Sequence, residues 1–157
     1  MDYRIREMAK KEYPLLCNFL YEAIYVPEGV EPPPKSVLDS PALQVYIKNF
    51  GSTKQDFAFV AEGKVGILGA IWARIMQDYG HIDDHTPSLA MSVRKGYRGR
   101  GIGSALLKKM LITLQANGYE NVSLSVQKEN YAVKLYQKFG FHVFHETEEE
   151  YVMLVRL

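Results

Sequence analysis

The residues best suited to chemistry lie between Val93 and Leu107, where three alternating glycines stand among cationic side chains. These residues are Gly99, Gly101, Gly103, Arg94, Lys95, Arg98 and Arg100. Glycine lets a ligand approach the backbone closely. The unpaired N–H groups and the dipole at a helix N-terminus favour anions, and arginine side chains bind phosphate well. The stretch therefore predicts a binding site for a diphosphate.

The sequence does not match the motifs of two common phosphate-binding loops. A Walker A loop that starts at Gly96 reaches Gly101, but Ile102 then stands where that motif requires lysine. A dinucleotide-binding loop requires a third glycine or alanine, and Ser104 and Leu106 occupy the possible positions. The sequence therefore argues against both nucleotide-binding loops.

The elements that must position this loop are a strand before it and a helix after it. Residues 88–93 read as a strand, and apolar residues recur with helical spacing from 102 to 114. Asn117 and Gly118 form a plausible helix stop, and apolar residues alternate again over 122–126. This order predicts a βαβ unit with the glycine loop at the carboxyl end of its first strand.

Two motifs resemble those of a known family. Arg98-x-x-Gly101-x-Gly103 resembles the Gln/Arg-x-x-Gly-x-Gly/Ala loop that wraps the coenzyme A pyrophosphate in the GNAT superfamily of N-acyltransferases. Asn130-x-x-Val133-x-Leu135-Tyr136-x-Lys138-x-Gly140-Phe141 is similar to a later helix of that family, with one residue's difference in a gap. The two motifs together make this a specific resemblance to the GNAT superfamily.

The resemblance implies one α/β (α+β) domain over residues 1–157. The expected fold is a mixed, mostly antiparallel sheet of about seven strands with about four helices, splayed at the acyl-CoA site. Backbone groups of β-strand residues would pair with the pantetheine arm, loop amides would hold the pyrophosphate, and an asparagine would hold the far arm. These residues are Met91, Ser92, Val93, Arg98, Gly99, Arg100, Gly101, Ile102, Gly103, Ser104 and Asn130.

The reaction implied is transfer of an acetyl group from acetyl-CoA to an amine of a small molecule or peptide. It needs a neutral amine, a polarised carbonyl and a proton for the departing thiolate. Tyr136 is the candidate acid, because a phenol is protonated at neutral pH. The structural alternative is that Tyr136 is an aromatic residue of the apolar helix face. A non-catalytic acyl-CoA sensor or partner-binding module is the rival function.

The polar loop 77–87 supplies the candidate bases. Asp84 and Asp83 lead, with His81 and His85 behind them, because the loop enters the strand that precedes the glycine loop. A solvated turn is an equally simple interpretation of these four residues. No metal is predicted, since their spacing lacks the regularity of zinc motifs.

The first half of the chain indicates the order of elements but not the acceptor. Residues 3–7 alternate as a short strand, and residues 10–25 have helical spacing. The proline-rich segment 26–35 predicts either an acceptor-site wall or a rigid connector, and Ser40 with Pro41 predicts a helix start. Strands at 57–61 and 65–76 are predicted to form a hairpin. Two final strands are predicted at 141–144 and 151–157.

The composition restricts location and partners. The 157 residues contain 19 Lys and Arg against 18 Asp and Glu, which disfavours nucleic acid as a main partner. Cys17 is the only cysteine, so no intrachain disulfide is expected. No apolar run is long enough to cross a bilayer, and the amino-terminal residues do not resemble a secretion signal. We therefore predict a cytoplasmic protein without membrane partners, and the oligomeric state stays open, with a homodimer as one option.

Overall fold

The computed structural model describes residues 2–157, and seven strands in it form one sheet. The strands are β1 (Tyr3–Glu7), β2 (Phe57–Gly63), β3 (Gly66–Arg74), β4 (Ser88–Val93), β5 (Asn121–Gln127), β6 (His142–Glu146) and β7 (Glu150–Arg156). Their order across the sheet is β1-β2-β3-β4-β5-β7-β6.

Four α-helices accompany the sheet. They are α1 (Leu16–Ala23), α2 (Pro41–Gln44), α3 (Ile102–Ala116) and α4 (Ala132–Lys138). Three short 3-10 helices, Lys10–Leu15, Lys35–Asp39 and Lys95–Tyr97, join them to neighbouring elements. The predicted number of strands and helices is therefore confirmed.

The sheet opens between β4 and β5. Every other pair of neighbouring strands is antiparallel and paired along most of its length, whereas β4 and β5 are parallel. Only Ser88 and Ser123 face each other in that pair. The two strands separate beyond these serines, which confirms the predicted splay of a mixed, mostly antiparallel sheet.

Each face of the sheet is covered by its own hydrophobic core. Successive residues in a strand point to opposite faces, so Ile71 packs on one side and Trp72 on the other. The Ile71 side is covered by α3, whose Leu106 and Met110 are fully buried. The Trp72 side is covered by α1, with Phe19 at its centre. Trp72 is therefore a core residue.

The predicted helix after Ser40 is wrong in length, since α2 is a single turn and the Ser40 side chain makes no capping hydrogen bond. Side chains of β3 take the carbonyl groups that a longer helix would use. The Trp72 indole N–H donates to the Tyr46 carbonyl at 3.1 Å, and Arg74 donates to the Lys48 carbonyl at 2.9 Å. Tertiary hydrogen bonds thus replace the expected helical ones.

Two smaller corrections concern the other elements of the first half. The helix predicted over 10–25 begins as the 3-10 helix Lys10–Leu15, which contains Pro14, and α1 ends at Ala23. The hairpin turns at Lys64 and Val65, because Gly63 pairs with Gly66, one residue later than predicted.

Candidate functional site

The glycine loop links the end of β4 to the start of α3. Gly99 and Gly101 have φ values of 76° and 84°, in the left-handed region that favours glycine. No atom lies within 4 Å of the position that a Cβ would take on either residue. No side chain caps α3, so the amides of its first turn remain available to an anion.

The arginines of this loop are exposed and lightly held. The Arg98 side chain donates through Nε to the Val93 carbonyl at 3.0 Å, and its Nη2 lies 3.8 Å from Glu22 of α1. The Arg100 guanidinium lies over the Tyr97 ring, 5.6 Å from its centroid. Exposed ion pairs of this kind are weak, so the cations can turn towards a phosphate.

The edge of β4 that faces the opening carries unpaired backbone groups. Met91, Ser92 and Val93 pair with β3 on one side, and no strand lies beside them on the other. The Ser92 hydroxyl donates to the Phe19 carbonyl at 2.7 Å, so this side chain is already bonded to α1. Only the backbone of Ser92 is therefore offered to a ligand in the gap.

The α4 helix lies beside this gap. Asn130 lies just before it, and its side-chain oxygen accepts from the amide of Ala132, the first residue of α4, at 2.9 Å. Leu135 reaches α3, where its side chain lies 3.4 Å from the position of a Cβ on Gly103. The two helices that carry the family motifs are thus in contact.

Tyr136 is buried among apolar side chains, with 6% of its surface exposed. Its ring packs edge to face against Phe141, with the centroids 5.7 Å apart. Burial raises the pKa of its phenol well above the usual value. Tyr136 therefore holds its proton at neutral pH, as a proton donor must.

The structure places the two predicted bases at the surface. Asp83 accepts a hydrogen bond from the His85 amide at 2.8 Å, and this bond lowers the pKa of its carboxyl group. The Asp84 side chain is 80% exposed and lies 3.7 Å from His81 Nε2. The other nitrogen of His81 lies 2.8 Å from the Met76 carbonyl oxygen. These contacts fold the loop upon itself.

A third carboxylate of the same loop is buried, and sequence reasoning missed it. Both side-chain oxygens of Asp78 are inaccessible, and neither meets the geometry of a hydrogen bond within residues 2–157. Burial raises the pKa of its carboxyl group, although the Ser88 hydroxyl, the backbone amides of Gly80 and Asp78, and the Tyr46 phenol lie close enough to oppose that change. Asp78 has no distinctive spacing, so only the folded chain distinguishes it from Asp83 and Asp84.

The segment around Asp78 lies where β4 and β5 meet. The Ser123 hydroxyl donates to the Gly80 carbonyl at 2.7 Å, and the Ser123 amide donates to the Pro87 carbonyl at 3.0 Å. A Cβ on Gly80 would lie 2.9 Å from the Leu124 backbone. The loop is therefore pressed against β5 at the closed end of the gap.

Two features are absent from residues 2–157. No three His, Cys, Asp or Glu side chains converge in a way that would hold a metal ion. In the same range, no helix combines the length and apolar character that crossing a bilayer requires.

The chain is similar to known acetyltransferases in sequence. The family described as an acetyltransferase (GNAT) domain matches residues 22–155. N-acetylaspartate synthetase of Xenopus tropicalis is 37% identical over 100 residues, which cover 62% of this chain and 34% of that protein. N-acetyltransferase family 8 member 7 of Mus musculus is 29% identical over 110 residues, which cover 69% of this chain and 48% of that protein. The matches thus span between a third and a half of these relatives.

Solved structures share the fold along the whole chain. A GNAT-family acetyltransferase from Streptococcus pneumoniae has a TM-score of 0.71 at 22% identity, covering 99% of this chain and 100% of that one. The PaiA N-acetyltransferase from Thermoplasma acidophilum, solved with coenzyme A, has a TM-score of 0.72 at 19% identity, covering 100% of both chains. With the family match over residues 22–155, the chain belongs to the GNAT acetyltransferases, a family of acyltransferase enzymes.

Proposed function

We propose that this chain transfers an acetyl group from acetyl-CoA directly to an amine. The observation that carries the proposal is the gap between β4 and β5, with the glycine loop at its open end. The backbone of β4 offers hydrogen bonds along the gap, and the loop offers open amides and nearby cations. This arrangement fits a long ligand that ends in a diphosphate.

Acetyl-CoA would be held by backbone contacts more than by side chains. Met91, Ser92 and Val93 would bond the pantetheine arm as an added strand does. The amides from Arg98 to Ser104 would receive the pyrophosphate. Asn130 would contact the far arm, although its side-chain oxygen already accepts from the α4 backbone. The coenzyme A complex of the Thermoplasma acidophilum protein, which shares the fold, supports the choice of donor.

Tyr136 would protonate the departing thiolate. Its phenol is neutral at physiological pH because burial raises its pKa. Asp83 and Asp84 stay the bases predicted from sequence, and their exposure would leave proton transfer to a path through water.

The acceptor is an amine whose identity the relatives help to narrow. One relative is named for the synthesis of N-acetylaspartate, so the amino group of aspartate is a specific candidate. The other named relatives are N-acetyltransferases whose names give no acceptor. An acceptor panel should therefore contain aspartate, other amino acids, polyamines, aminoglycosides, simple alkylamines and peptides with free amino groups.

The test is an assay of thiol release from acetyl-CoA across this panel, with the acetylated product identified by mass. We expect release that depends on both the protein and one class of amine. Binding of acetyl-CoA without transfer to any amine would instead support the rival function, a non-catalytic acyl-CoA sensor. Failure to bind any acyl-CoA, measured by calorimetry, would contradict both functions.

A further inference from the structure

We propose that Asp78 binds the ammonium group of the acceptor at the closed end of the β4–β5 gap and accepts its proton before acetyl transfer. This proposal rests on the proposed function, because it assigns the acceptor side of the same reaction. It differs from the sequence-based prediction, which gave the base role to Asp84 and Asp83.

The position of Asp78 is the first argument. Its neighbour Ser88 is the first residue of β4 and pairs with Ser123 of β5. The phenol of Tyr46 lies near both Asp78 and Ser125, and the Ser125 backbone belongs to the segment of β5 that lies against Gly80. The carboxylate therefore stands at the point where the two strands part, on the sheet face covered by α1.

The face of the sheet supports the same placement. Along β5, Val122, Leu124 and Val126 belong to the core under α3, so Ser123 and Ser125 point to the opposite face. The polar cluster formed by Asp78, Tyr46, Ser88, Ser123 and Ser125 thus lies in a core layer made mostly of apolar side chains. A donor would lie in the gap. Because both Asp78 oxygens are inaccessible in the chain without ligands, an acceptor would have to part the loop from β5 to reach this cluster, where it would meet the inner end of the donor.

The second argument is the missing charge partner. The hydrogen-bonding groups around Asp78 are neutral: the Tyr46 phenol after α2, the Ser88 hydroxyl of β4, and the backbone amides of Gly80 and of Asp78 itself. The nearest imidazole in the sequence, His81, contacts the Met76 carbonyl and Asp84 instead. Within residues 2–157, Asp78 joins no ion pair. A buried carboxylate without a counter-charge is costly, and an ammonium group would supply the positive charge that the hydroxyl and amide groups around Asp78 do not.

The chemistry balances with the groups at hand. An acceptor ammonium gives one proton to the Asp78 carboxylate and becomes a neutral amine. The nitrogen lone pair then forms a bond to the thioester carbonyl carbon, and the carbon–sulfur bond breaks. The sulfur takes the Tyr136 phenol proton, and the proton lost by the new amide nitrogen restores Tyr136. Asp78 finally releases its proton to solvent, so the net products are an amide, free coenzyme A and one proton.

The kinetic test compares the parent protein with Asp78→Asn over a pH series, using the panel amine that the parent acetylates fastest. For the parent, kcat/KM for the amine should not change with pH between the pKa of Asp78 and the pKa of the amine. The variant can use only amine that is already neutral, so its log kcat/KM should rise by about one unit per pH unit. At neutral pH we expect a loss of about a hundredfold or more, with the affinity for acetyl-CoA unchanged.

Asp2→Asn is the matched control, because Asp2 is exposed and precedes β1 at the far edge of the sheet. It should keep the parent profile. A flat profile with near-parent turnover in Asp78→Asn would overturn the proposal, as would a loss of the flat region in Asp84→Asn alone. Either result would leave acetyl transfer itself intact.

A second measurement needs no turnover. The carboxyl carbon of Asp78 is followed by NMR through a pH titration, with and without butylammonium chloride, in the presence of coenzyme A. Bound butylammonium should lower the pKa of Asp78, because a cation favours the ionised carboxylate. An unchanged titration at saturating butylammonium would contradict the proposal even if no panel amine proved to be a substrate.

Discussion

At the scale of single residues, the proposed mechanism depends on two groups whose pKa values burial shifts in the same direction. Burial raises the pKa of the Tyr136 phenol and of the Asp78 carboxyl group, because it disfavours the charged form of each. For tyrosine the result is a proton donor that stays neutral. For aspartate the result is a carboxylate that gains from meeting a cation.

The first prediction concerns Tyr136→Phe. We expect kcat to fall by about tenfold or more while the affinity for acetyl-CoA changes little, because only the proton for the thiolate is lost. Steady-state kinetics together with calorimetric binding separate these two effects. Tyr131→Phe is the control, since Tyr131 precedes the same helix but is exposed. Unchanged turnover in Tyr136→Phe would remove the phenol from the mechanism.

The second prediction concerns stability at Asp78. Its folded pKa is raised, so the folded chain binds more protons than the unfolded chain, and stability falls as pH rises above the unfolded pKa of about 3.9. Asp78→Asn removes this titration. The melting temperature of the variant minus that of the parent should therefore increase as the pH rises from about 4 to 7.

Thermal unfolding at a series of pH values, without ligands, measures this difference. Asp2→Asn again serves as the exposed control. If this difference instead decreased towards neutral pH, the fold would stabilise the ionised Asp78 carboxylate. That result would contradict the absence of a cationic partner.

At the scale of elements, the glycine loop and α3 act together, because the loop conformation sets where the first helical amides point. Gly101 lies immediately before α3 with a left-handed backbone. Other residues adopt that conformation at a cost of about 1–2 kcal/mol. The geometry of the anion site therefore depends on the absence of a side chain there.

The third prediction is that Gly101→Ala weakens acetyl-CoA binding by roughly tenfold, since the loop must pay this strain to keep its binding conformation. Gly118→Ala is the matched control. Gly118 follows α3 with a φ of 87° and has no atom within 4 Å of its Cβ position, so it introduces similar strain outside the site. Calorimetry should show weaker binding only for Gly101→Ala. Equal affinities in the two variants would argue against a pyrophosphate at this loop.

At the scale of the whole molecule, the opening divides the sheet into a four-stranded and a three-stranded part. The strands β1 to β4 lie on one side, and β5, β7 and β6 lie on the other. Ser88 and Ser123 form the only strand pairing between the two parts in the described residues. A donor that bonds to β4 would therefore bridge the sheet.

The fourth prediction is that acetyl-CoA slows hydrogen exchange in β4 far more than in β2, which is already paired on both edges. The amides concerned are those of residues 89–93 that do not bond to β3. Exchange followed by mass spectrometry or NMR, with and without acetyl-CoA, measures the difference. Equal protection of the two strands would place the donor outside the gap.

The sequence predicts the donor side of this molecule better than its acceptor side. The glycine loop, α3, β5 and the end of α4 at Gly140 follow from local spacing, and the structure confirms them. The shortness of α2 does not follow from local spacing, because Trp72 and Arg74 donate hydrogen bonds to carbonyl groups that lie near them only in the folded chain. Asp78 is hidden for the same reason, since burial is a tertiary property. The site roles predicted from the motifs remain to be tested by the variants above.

Gly80 fixes how closely the loop that carries Asp78 approaches β5. A single added carbon there would meet the Leu124 backbone at 2.9 Å and the Ser125 amide nitrogen at 3.0 Å. The backbone cannot yield as a flexible side chain can, so a larger residue at this position would lever the loop away from β5. If the acceptor binds at Asp78 as proposed, the space available to it at this end of the gap is therefore limited by the absence of a side chain at residue 80.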